Sequence, residues 1–164
     1  MIALKKLLVA TDFSEAADAA LSYGRAFARM FGATLYVLHV TDDMYMRFGG
    51  DAYAAVMPDL QRDVEAQARQ RLAELLVDND PKPLPTVPVV VTSNATAQAI
   101  VDYAASVSVD LIVVGTHGRG AVAHLLLGSI AERVVRTARC PVLTVRHPER
   151  DFVTSDLPVA TARA

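Results

Sequence analysis

Tryptophan is missing from the 164 residues, and cysteine occurs once, as Cys140. A single thiol excludes an intramolecular disulfide and a multi-cysteine metal site. Lysine is scarce as well: Lys5, Lys6 and Lys82 are the only three, and the other cations are arginines. The formal charge is −2, which removes the general electrostatic case for nucleic acid or an anionic membrane. No apolar run approaches the ~20 residues that span a bilayer. The opening MIALKKLLVA has its lysines inside the apolar stretch rather than ahead of it, a poor match to a signal peptide. His39, His117 and His124 are scattered, without the spacing or carboxylate partner of a metal site. These absences predict a soluble, cytoplasmic protein with no metal centre, no nucleic-acid partner and no membrane partner.

What is present is apolar: 52% of residues are hydrophobic, ample for one core in a chain of one-domain length. The runs alternate. LKKLLVATD (residues 4–12) reads as a strand, and SEAADAALSYGRAFARMFG (14–32) as a helix, with Ala17, Ala20, Leu21, Gly24, Phe27, Ala28 and Phe31 on one face. Ser14 is placed to cap that helix and Gly32 to end it. ATLYVLHV (33–40) reads as a second strand. Residues 41–59 read as a long irregular connection, the kind that often forms a lid or binding segment. A charged amphipathic helix follows over 60–80, then a proline-rich break. The remaining pattern is a strand at 87–93, a helix at 94–108, a strand at 109–115, a helix at 129–139 and a strand at 140–146. Residues 1–147 form the predicted domain, and 148–164 a loose tail.

Strands alternating with helices predict an α/β fold with a parallel sheet covered on both faces. Ligands bind such sheets beyond the carboxyl ends of the strands, where the strand order reverses. Four of the eight glycines, Gly115, Gly118, Gly120 and Gly128, fall at one of those ends. A tight glycine turn forms a nest of N–H groups, and the next helix adds its own unpaired donors. A phosphate chain suits both. Gly115 and Gly118 would admit it, Gly128 and Ser129 would bind it, and Arg119 is the nearest permanent cation. No Gly-Lys-Ser/Thr is present, so this is not a P-loop. GTHGRG also reverses the dinucleotide G-x-G-x-x-G and follows the wrong strand. The residues alone leave a second reading open, in which the glycines are turns and SIAE (129–132) is a capping box.

The spacing Gly115, Gly118, Gly128, Ser129 fits G-x2-G-x9-G-(S/T) without a gap. With LLVATDFSEAADAAL at the start and DLIVVGTHGRG and LLLGSIAERVVRTARCPVLTVR near the end, the chain resembles the universal stress protein family over roughly residues 2–147. The resemblance implies a single-domain, Rossmann-like open sheet of five parallel strands in the order 3-2-1-4-5. It implies ATP as ligand, together with Mg. Ala10 and Thr11 would line the base, Asp12 would face ribose or adenine, and the Val40 backbone would meet the adenine edge. Val114 would pack near sugar and base, and Gly115 would touch the ribose. Gly118, Gly128, Ser129 and Ile130 would hold phosphates. A homodimer through the fifth strand, residues 142–146 from Val142 to Arg146, is implied too. The chain departs from the family at Ser93, Asn94 and Ala95, where a Gly-x-Pro turn is common.

Three functions compete. The first is a nucleotide-dependent regulator in the stress response, acting through a further protein partner. The second is an ATPase or phosphotransferase, for which Asp12, Ser129, Arg119 and Mg are the available groups; slow hydrolysis is compatible with them, whereas efficient turnover lacks a lysine and a catalytic loop. The third is a dimeric interaction module with no nucleotide role, using the sheet edge and Met44, Met46 and Met57 with Tyr45, Phe48 and Tyr53. No catalytic residue is assigned. Asp42 and Asp43 read as a polar loop in preference to magnesium ligands, and Cys140 as a junction thiol in preference to a nucleophile.

Overall fold

The computed structural model describes residues 2–48, 56–77, 83–116 and 128–147. Gly118, Arg119, Gly120, His117, His124 and the proposed tail lie outside them. In chain order the elements are β1 (Lys6–Ala10), α1 (Glu15–Phe31), β2 (Thr34–Thr41), α2 (Met44–Phe48), α3 (Met57–Leu75), β3 (Thr86–Thr92), α4 (Thr96–Ser106), β4 (Leu111–Gly115), α5 (Ser129–Thr137) and β5 (Val142–Val145). All strands are parallel, in the order β3-β2-β1-β4-β5.

Side chains alternate across a strand, and here both faces are covered. Leu7, Val9, Leu35, Val37 and Val113 pack beneath Ala20, Leu21 and Ala28 of α1 and Leu72 of α3. Leu8, Leu38, Ile112 and Val114 pack on the other face against Ala97, Ile100 and Ala104 of α4 and Ala131 and Val134 of α5. The central strands are therefore apolar at nearly every position, as buried parallel strands require.

Helix α1 follows its predicted limits. Ser14 Oγ accepts the Ala17 N–H at 3.3 Å, and Gly32 closes the helix at φ +64°, a left-handed cap that costs glycine little. At Gly24 the helix presses on the sheet: a Cβ there would lie 2.3 Å from Val9 Cγ2. At the opposite end of the strands, Asp110 Oδ2 accepts the Lys5 and Lys6 N–H groups at 2.7 and 2.9 Å. Those two backbone bonds hold its carboxyl below the ordinary carboxylate range.

Three local expectations are corrected. The stretch read as irregular holds α2, started by Asp43 Oδ1, which accepts the Met46 N–H at 3.2 Å. It also holds the first turn of α3, which begins at Met57 with a proline in the N1/N2 position; Pro58 opens the helix because an N–H is not needed there. The capping box at 129–132 is not formed. Gly128 is the N-cap, Ser129 is already the first helical residue, and α5 has no side-chain cap bond. Glu132 instead meets Arg136 at 3.2 Å.

Candidate nucleotide site

After β1 the chain crosses to α1 on one face, and after β4 it crosses to α5 on the other. The switch between β1 and β4 leaves a crevice at the carboxyl ends of those strands. One wall is the turn of residues 11–14. The Thr11 N–H donates to Leu38 O at 2.9 Å, and Thr11 O accepts from His39 Nδ1 at 2.8 Å. Thr11 Oγ1 accepts the Phe13 N–H at 3.0 Å. Asp12 Oδ1 accepts the Ser14 N–H at 3.1 Å and the Ser14 hydroxyl at 2.6 Å. The turn is thus set by its own side chains, with Asp12 at its apex and Ala10, half-buried, at its base.

The other wall is built from β4 and α5. The Thr116 N–H donates to Val145 O at 2.8 Å, and Thr116 O accepts the Gly128 N–H at 2.6 Å. The outer glycines of the motif are therefore brought together: residues 117–127 leave and rejoin the described chain at one hydrogen bond. Beyond it, the first intrahelical bond of α5 is from the Glu132 N–H to Gly128 O at 2.9 Å. The N–H groups of Ser129, Ile130 and Ala131 precede it, so the helix has no acceptor for them. Ser129 and Ile130 are exposed. The first-turn carboxylate, Glu132, is engaged by Arg136, which leaves a donor set suited to an anion.

Gly115 has a reason that the sequence did not reveal. A Cβ on it would come within 2.8 Å of both the carbonyl carbon and the oxygen of Ala16. The close approach at this position is made by the start of α1. Val114 is buried beneath α4 and α5. Val40 sits one residue before the end of β2, paired in register with Val91. Gly118 and Arg119 lie outside the described residues.

Phe13, Arg71, Glu65 and Thr92, which no motif marks, make contacts near the same strand ends. Phe13 adopts φ +62°, an outlier for a bulky residue. Its ring lies 4.5 Å from that of His39 and 4.3 Å from Arg71 Cζ of α3. Farther along, Thr92 Oγ1 donates to Glu65 Oε1 at 2.9 Å and lies 3.1 Å from Thr41 Oγ1. The Thr92 bond, then those from Arg69 and Gln61, keeps the Glu65 carboxyl below its usual range. Asn94, at the family departure, clasps Asp43: Oδ1 accepts its N–H at 2.9 Å and Nδ2 donates to its carbonyl at 3.3 Å. Asp42 pairs with Arg47. Among the described residues no cluster of three or more His, Cys, Asp or Glu is arranged for a metal ion. Cys140 is half-buried, and burial raises its thiol above the usual range. No helix among the described residues is long and apolar enough to cross a membrane.

The model of the universal stress protein family matches residues 3–146. A universal stress protein of Thermus aquaticus is 33% identical over 142 residues, covering 87% of this chain and 98% of the relative. The solved structure of protein MJ0577 of Methanocaldococcus jannaschii superposes with a TM-score of 0.78 at 27% identity, covering 91% of this chain and 100% of that one. Two more distant structures share the fold: a universal stress protein in complex with cAMP (22% identity, TM-score 0.58, 88% of this chain and 98% of that one) and one from Archaeoglobus fulgidus in complex with dAMP (21%, 0.53, 88% and 99%).

Proposed function

Because the chain belongs to the universal stress protein family, we propose that it binds ATP in the β1/β4 crevice, and that the bound nucleotide biases its conformation or its choice of protein partner in a cytoplasmic stress response. The observation that carries this reading is the Gly128 N–H to Thr116 O bond. It brings the residue after Gly115 against Gly128, which supports a reading in which the start of α5 would bind phosphate and Asp12, at the end of the neighbouring β1, would accept from the ribose. The α5 N–H groups and the Ser129 hydroxyl would hold phosphate oxygens, with Gly118 and Arg119 supplying the middle of the motif. Asp12 would accept from ribose hydroxyls, while Ala10, Thr11 and the Val40 backbone face the base. Relatives of the same fold bind cAMP and dAMP, which supports an adenine nucleotide in this architecture. Magnesium would ride on the phosphates and water, the usual habit of that ion. Transfer chemistry needs a positioned nucleophile and neutralised charge, and the site offers at most slow hydrolysis. The working unit is residues 1–147, with 148–164 as a tail.

The test is calorimetric titration of nucleotide-stripped protein with ATP and Mg²⁺, with GTP as control. Saturable ATP binding with little GTP response is expected, and Gly118→Leu should abolish it without unfolding the domain. Absence of binding would return the motif to a turn and a helix start.

A second element of the proposal is a homodimer through β5. Among the described residues neither sheet edge is paired, but β3 carries Pro88, which cannot donate and guards that edge. β5 has no proline between Val142 and Val145, so it is the edge that would add a partner strand.

A further inference from the structure

The β1–α1 turn contains a conformation that costs free energy. Phe13 sits at φ +62°, where a side chain crowds the backbone and a bulky residue is rare. Such outliers persist only where the surroundings over-determine them, and they gather at functional sites. This one follows Asp12 directly and lies between it and Ser14, whose N–H and hydroxyl bind the Asp12 carboxylate. Within the turn, Thr11 Oγ1 and Asp12 Oδ1 hold the N–H groups of Phe13 and Ser14, but neither bond restrains the Phe13 ring. The ring packs in part against the core, and two side chains from other elements meet it as well. His39, from β2, lies 4.5 Å away at 43° and is tied to Thr11 O at 2.8 Å. Arg71, from α3, sets its guanidinium carbon 4.3 Å from the ring centroid, well within cation–π range. Its neighbour Leu72 is completely buried against the sheet, so Arg71 is delivered by a helix that is itself anchored.

We propose that Arg71 is a positioning residue for the nucleotide site: by stacking on Phe13 it holds the left-handed turn that aims Asp12 into the crevice. This rests on the nucleotide-binding reading above. Arg71 touches the ring, and the ring sets the turn; the guanidinium acts on affinity through Phe13 and not by meeting the ligand. A surface arginine on a charged helix thereby links α3 to the ribose end of the site.

The experiment is ATP titration by calorimetry on the full chain and on Arg71→Met, Arg71→Lys, Phe13→Gly and the Phe13→Gly/Arg71→Met double variant, each checked by thermal melting. Methionine keeps the stem and removes the charge; lysine keeps a charge. An exposed cation–π contact corresponds to about two- to fivefold in affinity. Arg71→Met should weaken ATP by that factor, and Arg71→Lys should lie between it and wild type. With glycine at position 13 the turn costs nothing and no ring remains, so adding Arg71→Met should change nothing further. Equal affinity for wild type and Arg71→Met would overturn the proposal. So would a loss that persists in the glycine background, which would make Arg71 a direct ligand contact. If Phe13→Gly does not fold, the ranking of wild type, lysine and methionine decides alone. Failure of wild type to bind ATP would defeat the nucleotide reading itself and this proposal with it.

Discussion

Gly24 lies within α1, where alanine would favour the helix by about 1 kcal/mol. The packing reverses that preference: a Cβ would sit 2.3 Å from Cγ2 of the fully buried Val9, and overfilling a core costs about 1–3 kcal/mol. Gly24→Ala is therefore expected to lower the denaturation midpoint at unchanged slope. Gly115→Ala should be worse behaved, because the atoms it meets are backbone atoms of Ala16, which cannot rotate away. A loss of ligand in that variant would report a displaced α1, so Ser129 and Gly118 are the cleaner probes. Asp110 supplies a pH dependence. Its folded pKa lies below the ordinary 3.8, so its contribution is present above that value and is lost as pH falls through the folded pKa. Asp110→Asn should lose on the order of 1 kcal/mol near pH 7 and flatten the acid limb below about pH 3.8, read from urea midpoints between pH 3 and 7.

Where the chain carries its own start and stop signals, the elements were legible. Helix α1 has Ser14 and Gly32, and both act as the sequence implied. Helix α3 begins earlier than its periodicity indicates, because Pro58 occupies the first turn, where a proline opens a helix and does not break it. The short α2 has few residues to build a period, and its one signal, Asp43, reads equally well as loop. Helix α5 begins at Ser129 as expected, but the alternative capping box is not formed: Ser129 and Glu132 have its spacing, yet the cap is Gly128. The two frames differ measurably. A capping serine would cost about 1 kcal/mol on replacement by alanine, whereas Ser129→Ala is expected to leave the melting temperature nearly unchanged while weakening ATP binding. The Phe13–Arg71 contact was invisible because nothing local marks a phenylalanine for the left-handed region, and Arg71 reaches it only through tertiary packing.

For the molecule as a whole, alternation of strand and helix indicated the covered parallel sheet, and the family resemblance supplied the order that the model shows. The switch point followed from that order, since it is a property of topology. That Gly115 makes room for the start of α1 could not be read from the sequence, because it depends on packing between distant segments. The sheet edges carry the oligomer prediction. The Ile112 and Thr116 N–H groups donate to Pro141 O and Val145 O, so alternate residues of β5 point toward β4. Thr144 falls between them, with its N–H toward the open edge. Thr144→Pro should spare the β4 pairing and block strand addition. Light scattering after size exclusion should then give the monomer mass, while the wild type gives twice that.

The bond between the Gly128 N–H and Thr116 O also bears on how freely the chain can change in length. With its two ends already fastened, the segment between them can lengthen cheaply, since doubling a loop adds only about 0.6 kcal/mol of closure entropy. By closure entropy alone the number of residues separating Gly118 from Gly128 matters little, whereas a ligand spanning both glycines would count them. Two extra residues inserted there should pass almost unnoticed in a melting curve and be conspicuous in an ATP titration, so the spacing of the motif can be tested apart from its composition.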